Sequence, residues 1–285
     1  MLKCAAMSEI HPTAMIGNDV ELGIGNQIGP HVVIEDGVKI GSHNKIHASV
    51  YICKGSQIGN HNEIHMGAIL GHTPQDLAYK GAVSYTQIGD RNQIREYVTI
   101  HRGTKPESAT ILGSDNFIMA YCHIAHNCEL ASKIIMVNQA SLTGYCQVED
   151  QAFLSGMTGF HQFTRIGRLS LVSALSACNK DIPPYVICGG RPATVIGVNV
   201  VGLRRARIPE PARNEIRQAY KYLYRWGLSV PHALEKIKTE FKSPEIEHFV
   251  QFIESSKRGI LAGSNAPEEE DEGTLLARKK PTVSQ

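Results

Sequence analysis

The chain has 285 residues, of which 42% are hydrophobic and only 6% aromatic, and carries a formal net charge of +2. That length suits a repeat domain plus a small second domain. The near-neutral charge excludes a general electrostatic nucleic-acid binder, and no apolar run reaches membrane-spanning length. Seven cysteines, an odd number without a CxxC pair, point to a reducing compartment and hence a cytoplasmic protein.

Residues 1–8 read as an N-terminal extension, too short for a signal peptide, with Met7 as an alternative start. From Ile10 onward every sixth residue is aliphatic: Ile16, Leu22, Ile28, Ile34 and so on to Leu70. The beat resumes at Ile88, Ile94 and Ile100, then runs from Leu112 through Ile118, Ile124 and Leu130 to Val172. Such self-similarity marks a solenoid. Four residues after each aliphatic stands a small residue, Val or Asn, and Gly often follows the aliphatic directly, as at Gly17, Gly41 and Gly59. Each six-residue unit is therefore a short strand and a turn, with the aliphatic inside and Gly easing the bend. Three units close an eighteen-residue triangular coil, and coils stack at the strand spacing of about 4.8 Å. The expected fold is mainly β: a parallel β-helix of hexapeptide repeats over 9–190, followed by a small α-helical domain over 191–262.

Two insertions interrupt the beat, at 71–87 and 103–111, and should form outside loops carrying function. Pairing should stop near Asp181, because Pro183 and Pro184 cannot donate to a ladder. Beyond, Ile216, Tyr220 and Leu223 fit one helix face, with Pro209 and Pro211 near its start. Ser229 can cap a second helix bearing Leu234, Ile237 and Phe241. Ser243 and Pro244 open a third with Ile246, Phe249, Val250 and Ile253. The polar tail, 263–285, is expected to be disordered.

The eighteen-residue period turns spacing into proximity. His126 falls one coil below Gly144, and His161 lies over Thr143, so His126, Gly144 and His161 share one wall. A histidine near its ordinary pKa can take a proton from an alcohol. A glycine leaves a backbone N–H open to a developing oxyanion. Together they suggest acyl transfer to a hydroxyl without a covalent enzyme intermediate, since no Ser or Cys sits in a nucleophile motif. Other histidines have simpler roles: His31, His43 and His61 belong to turns, while His47, His65 and His101 follow a ladder Ile and can decorate the outer face. A zinc site made of His101, His123 and His126, as in a hydrase on the same scaffold, stays open. So does a non-catalytic binding module. Cys128 and Cys146 should stack as small apolar wall residues.

The segments Ile88-Gly-Asp-Arg-Asn-Gln-Ile-Arg-Glu, Val98-Thr-Ile-His-Arg-Gly-Thr104, His123-Ile-Ala-His126, Gly156-Met-Thr, His161-Gln-Phe163 and Asp181-Ile-Pro-Pro-Tyr-Val-Ile187 resemble the acyl-carrier-protein–UDP-N-acetylglucosamine O-acyltransferase family of lipid A biosynthesis. The similarity runs from about Ile10 to Leu261. It implies a left-handed β-helix, a homotrimer with sites between subunits, no cofactor and no metal, and (3-hydroxy)acyl transfer from acyl carrier protein to the 3-position of a UDP-aminosugar. The general base then falls on His126 and the oxyanion donor on Gly144. Substrate contacts fall on Asp76, His123, His161, Gln162, Asn199 and Arg205. The acyl groove falls on Leu171 and Ala174, where Ala in place of Gly would shorten it. Arg204, Arg205, Arg207, Arg213, Arg217 and Lys221 would attract an acidic carrier protein.

The chain departs from the family's pattern at specific positions. Ala78 stands where Lys is usual, with Lys80 two residues on. Tyr145 replaces a third histidine, Asn127 follows the base where Asp is frequent, and Val201 and Ala206 replace a Glu and an Arg. These changes leave the transfer centre in place and alter the acceptor shell. A modified aminosugar, or an inactive paralogue, is the alternative they suggest.

Overall fold

The computed structural model describes residues 7–264. The first six residues of the N-terminal extension, and the tail from 265 on, lie outside the described residues. Short parallel strands wind into three long sheets that form the faces of a prism. The first face has eleven strands, the second nine and the third eight. Register follows the repeat: Ile10 pairs with Ile28, Ile46 with Ile64, and Ile124 with Leu142. The ladder aliphatics fill the prism, with Ile34, Ile64, Ile100, Ile124 and Met136 at 1% exposure or less. At the open lower end the same positions are exposed, at Ile10 and Ile16.

Glycine serves the coil differently from the expectation. The corner residue in left-handed conformation comes three positions after the aliphatic and is usually not Gly: His43, His61, Asn127, Tyr145 and Phe163 all have φ between 57° and 65°. Gly41 and Gly59 are needed for close approach, because a Cβ there would meet the backbone carbonyl oxygen of the next coil at 2.7 and 2.8 Å.

One corner of the prism is lined by a ladder of buried asparagines: Asn26, Asn44, Asn62, Asn92 and Asn116. Each Oδ1 accepts from the backbone N–H above it, and up to Asn62 also from the amide of the next Asn, at 2.8–3.0 Å. Each Nδ2 donates to a turn carbonyl of the coil above, such as Gly59 for Asn44 and Gly89 for Asn62. The ladder leaves these buried polar groups paired, as a dry interior requires.

Both insertions leave from a different corner, between the second and third faces. The first separates strands Ile69–His72 and Tyr85–Ile88, and the second separates Thr99–His101 and Ala109–Leu112. Beyond Pro183 and Pro184 the ladder runs one strand further than expected. Val186–Gly190 pairs in parallel with Leu171–Val172, and Ala193–Val198 then returns antiparallel. The prolines occupy the turn, so they remove no ladder donor.

Four helices follow: α1 (Val200–Arg205), α2 (Glu210–Tyr224), α3 (Val230–Glu240) and α4 (Pro244–Glu254). The periodic positions of α2 to α4 form their shared core, with Ile216, Leu223, Ile237, Phe249 and Ile253 buried together. Short α1 has too few turns to show periodicity. Ser229 and Ser243 occupy N-cap positions without making a side-chain cap bond.

Candidate functional site

The corner that releases the insertions also carries His126. Strand His123–Ile124 leads into it and Glu129–Leu130 leaves it. The coil above turns at Gly144 and Tyr145. Tyr145 N–H donates to the His126 carbonyl at 3.0 Å, which fixes the stacking. A Cβ on Gly144 would lie 2.3 Å from His126 Cε1 and 2.6 Å from Nε2. The imidazole therefore rests directly on the glycine. Among the described residues the Gly144 N–H has no hydrogen-bond acceptor.

His126 is 4% exposed, and both ring nitrogens face polar groups. Nδ1 lies 3.1 Å from Asn127 Oδ1, and Nε2 lies 3.6 Å from Asp76 Oδ2. Asn127 Oδ1 also accepts from Thr104, from its backbone N–H at 3.0 Å and its hydroxyl at 2.9 Å. A backbone N–H can only donate, so the amide atom at this junction is the oxygen. An oxygen facing Nδ1 makes Nδ1 the protonated nitrogen and leaves the Nε2 lone pair free. The arrangement thus assigns the tautomer from one end.

Asp76 reaches the site from the first insertion. Its Oδ1 accepts from Ala78 N–H at 2.8 Å, and Tyr79 N–H donates to its carbonyl at 3.0 Å, so a local turn aims the carboxylate. Arg102, at the base of the second insertion, donates its Nε to the Gly71 carbonyl at 2.8 Å and ties the two loops together. Lys80 turns back on its own loop, with Nζ donating to the Leu77 carbonyl at 3.2 Å. It does not fill the place left by Ala78.

Tyr145 takes up space on the wall. Its ring stacks on Phe163 at 4.9 Å, stands edge-on to His126 at 5.3 Å, and its hydroxyl is 3.0 Å from Thr104 Oγ1. The site is thus braced by Thr104, Tyr145 and Phe163; the eighteen-residue step joins Tyr145 to Phe163 but does not reach Thr104. The signal that could have found Thr104 is its place at the start of the second insertion, on the corner below Asn127.

The histidines behind the corner form a chain. His123 Nδ1 is 2.7 Å from Thr99 Oγ1, and its ring meets His101 edge-on at 4.8 Å. His101 does not decorate the outer face: it is 4% exposed and its Nδ1 has no partner. Burial, reinforced by repulsion from His123, His72 and His126, pushes its pKa down to about 4. Burial also lowers that of His123. His101, His123 and His126 do not gather their donor atoms as a metal requires. Among the described residues only His47, Glu63 and His65 form such a group.

The remaining expected contacts lie further along the solenoid. His161 is exposed over Thr143, with Nδ1 3.1 Å from the Gln162 carbonyl. Asn199 caps α1: Oδ1 accepts from Gly202 N–H, and Nδ2 donates to the Leu169 carbonyl. Both ends of that amide are engaged in structure. Arg205 is exposed at the end of α1. Leu171 is half-buried on the first face and Ala174 exposed in the turn after it, on a different side of the prism from His126. Cys128 and Cys146 are free buried thiols, donating to the Thr143 and His161 carbonyls.

Known proteins resemble the chain over most of its length. Residues 181–261 match a family model described as UDP-N-acetylglucosamine O-acyltransferase, domain 2. An acyl-[acyl-carrier-protein]–UDP-N-acetylglucosamine O-acyltransferase of Janthinobacterium sp. (strain Marseille) is 46% identical over 261 residues, 90% of this chain and 100% of that protein. The structure of the Francisella novicida UDP-N-acetylglucosamine acyltransferase superposes with a TM-score of 0.86 at 35% identity, covering 90% of this chain and 95% of that one. A Bacteroides fragilis UDP-N-acetylglucosamine acyltransferase gives 0.75 at 40% identity, covering 91% and 100%. The fold is the parallel β-helix expected from the repeat, with the left-handed winding that the resemblance implies. With solenoid, insertions and helical domain all matched over nine-tenths of its length, the chain belongs to the acyl-[acyl-carrier-protein]–UDP-N-acetylglucosamine O-acyltransferase family.

Proposed function

We propose that this chain moves a (3-hydroxy)acyl group from acyl carrier protein to the 3-hydroxyl of UDP-N-acetylglucosamine, the first step of lipid A biosynthesis, with His126 as general base. His126 Nε2 takes the hydroxyl proton as the sugar oxygen attacks the thioester carbon. The carbonyl electron pair moves onto oxygen, where the Gly144 N–H donates to it. Collapse breaks the carbon–sulfur bond, and the imidazolium gives its proton to the leaving thiolate. The observation that carries this reading is the asymmetry of His126: Nδ1 is engaged by Asn127, while Nε2 lies beside a carboxylate and under a glycine whose N–H has no acceptor among the described residues. Asp76 is near enough to stabilise the imidazolium and to receive the sugar.

His123, His161, Gln162 and Arg205 keep their expected roles toward the sugar nucleotide, and the cationic side chains of α1 and α2 theirs toward the acidic carrier. Asn199 can join only by giving up its cap. Leu171 and Ala174, on another side of the prism from His126, form one acyl groove with it only across a subunit boundary. That supports a homotrimer, which sedimentation equilibrium at three chain masses would test. The described cysteines are all free thiols, which suits the reducing cytoplasm.

A second reading rests on Ala78, Tyr145 and Lys80, which turns back on its own loop. The first insertion brings a carboxylate to His126 without the expected ammonium, which favours an acceptor changed at the sugar, such as a 3-amino analogue. Purified wild type and His126→Ala should be assayed with hydroxyacyl carrier protein and both UDP-sugars. Loss of about 10²-fold or more is expected for the variant. Equal turnover in the two proteins would sink the mechanism, and faster turnover of the amine would fix the second acceptor.

A further inference from the structure

Glu63 and His65 lie at the first face two rungs below the coil that bears His126, and His47 one rung further down; none of them takes part in the site above. Strands Lys45–Ile46 and Glu63–Ile64 pair in parallel, so the residues that follow each aliphatic, His47 and His65, stack directly. Their rings are 4.6 Å apart and nearly parallel, at 19°. Glu63 stands beside them, and one of its oxygens, Oε1, is 2.9 Å from His47 Nε2 and 3.9 Å from His65 Nε2. The three donor atoms all lie within 4.8 Å of one another. We propose that His47, Glu63 and His65 form a binding site for a divalent transition metal such as zinc, which clips two successive coils together.

The donor set fits the chemistry. Two imidazoles and one carboxylate are a common three-ligand set for zinc, with the fourth position left to water. Tetrahedral bonds of about 2.0–2.1 Å place neighbouring ligand atoms about 3.3 Å apart. The carboxylate oxygen must therefore retreat slightly from His47 and approach His65 slightly, movements within reach of side-chain rotation. All three side chains are partly exposed, at 24%, 35% and 17%, so a cation can enter. An outer partner is already present. His65 Nδ1 faces Glu96 Oε1 at 3.5 Å, the carboxylate–histidine arrangement that orients a ligating ring. Glu96 is itself held by Arg95 at 3.0 Å.

Other histidines show what is special here. His43 and His61 stack at 5.1 Å at the neighbouring corner, yet they do not form such a group with a carboxylate. One group competes for Glu63: Lys45 Nζ is 3.3 Å from the same oxygen. Its side chain is 52% exposed and can swing into solvent. Without metal, the cluster is an ordinary ion-pair ladder with Lys45.

The test uses the full chain without an affinity tag, stripped with chelator and titrated with zinc and with cobalt(II). The proposal expects about one equivalent bound per chain, visible cobalt absorption of four-coordinate intensity, and a melting temperature that rises with zinc. His65→Ala and the double variant His47→Gln/His65→Gln should lose all three responses. Circular dichroism should show the double variant folded, and its acyl-transfer rate should stay within twofold of the stripped wild type. No stoichiometric metal in the wild type overturns the proposal. So does binding that survives in the double variant and disappears in His101→Gln.

Discussion

Two corners of the same prism follow the same eighteen-residue rule and end up with opposite properties. At the asparagine corner, buried Asn26, Asn44, Asn62, Asn92 and Asn116 close the turn carbonyls and the N–H groups above them with one repeated side chain. At the corner between the second and third faces, the equivalent inner positions are Ser56, Thr86, Thr110, Cys128, Cys146 and Thr164. Among the described residues, the Thr86 and Thr164 hydroxyls are buried without a partner, and above His126 the Gly144 N–H stays unpaired. The asparagine rungs of the first corner give their polar groups to stability. The second keeps some of them available, and it is where both loops leave the coil and the base sits. Sites of chemistry need unsatisfied groups, and a repeat fold can hold them at one corner while another keeps the coils in register.

The sharpest way to break this division is Gly144→Ala. The added methyl group cannot coexist with the imidazole in its present place, since it would lie 2.3 Å from Cε1. Displacement of the base and crowding of the oxyanion donor should cost about 10²- to 10³-fold in kcat. The melting temperature should hardly move, because the ring can tilt toward solvent. Loss of stability together with full activity would remove the glycine from the mechanism. The reverse pattern is expected at the other corner. Asn62→Ala deprives the buried Asn92 backbone N–H of its acceptor and the side-chain amide of one of its two. Destabilisation of about 4 kcal/mol in chemical denaturation is expected, with turnover per folded molecule unchanged.

Much of the register behind this contrast is legible in the sequence, and the limits of legibility are physical. A hexapeptide beat fixes register because a slip by one residue would turn every Ile outward, so the stacking of His126 on Gly144 followed from arithmetic. Arithmetic fails where the period is broken. The step from Asn62 to Asn92 is 30 residues and that from Asn92 to Asn116 is 24, against 18 in a regular coil. Thr104 and Asp76 lie in those irregular stretches, so their meeting with Asn127 and His126 could not be counted out. His101 shows the other limit. It follows a ladder Ile like His47 and His65, but the His72 and His123 rings pack beside it, and only burial shows that it lies inside.

That burial gives a pH test of intermediate size. His101 is held near pKa 4 when folded and returns toward 6.5 when unfolded. Above pH 6.5 neither state binds the proton, and the contribution to stability is complete. Between 6.5 and 4 the unfolded chain takes up a proton that the folded chain refuses, so stability falls as pH falls. The loss should approach about 3 kcal/mol near pH 4. In His101→Gln that part of the slope should vanish from denaturation curves measured across the range. An unchanged slope would mean that the buried ring is hydrated, and that the functional corner is less dry than its side-chain contacts imply.

The smallest effect probes how the functional corner borrows order from a neighbour. Thr104 touches no reacting atom in the proposed mechanism; it acts through Asn127, giving two hydrogen bonds to the oxygen that faces His126 Nδ1. Thr104→Val removes the hydroxyl and keeps the backbone donor, so Asn127 should hold its orientation part of the time. A loss of about tenfold in kcat with little change in KM is expected, equivalent to about 1.4 kcal/mol. Asn127→Asp works on the same junction from the other side. A carboxylate beside Nδ1 favours the imidazolium and raises its pKa, so the acid limb of the pH–rate profile should move to higher pH. Thr104→Ser should restore the rate of Thr104→Val without moving that limb. If Thr104→Val instead changes KM alone, the threonine belongs to substrate binding, and the tautomer of His126 is set by Asn127 without help from the second insertion.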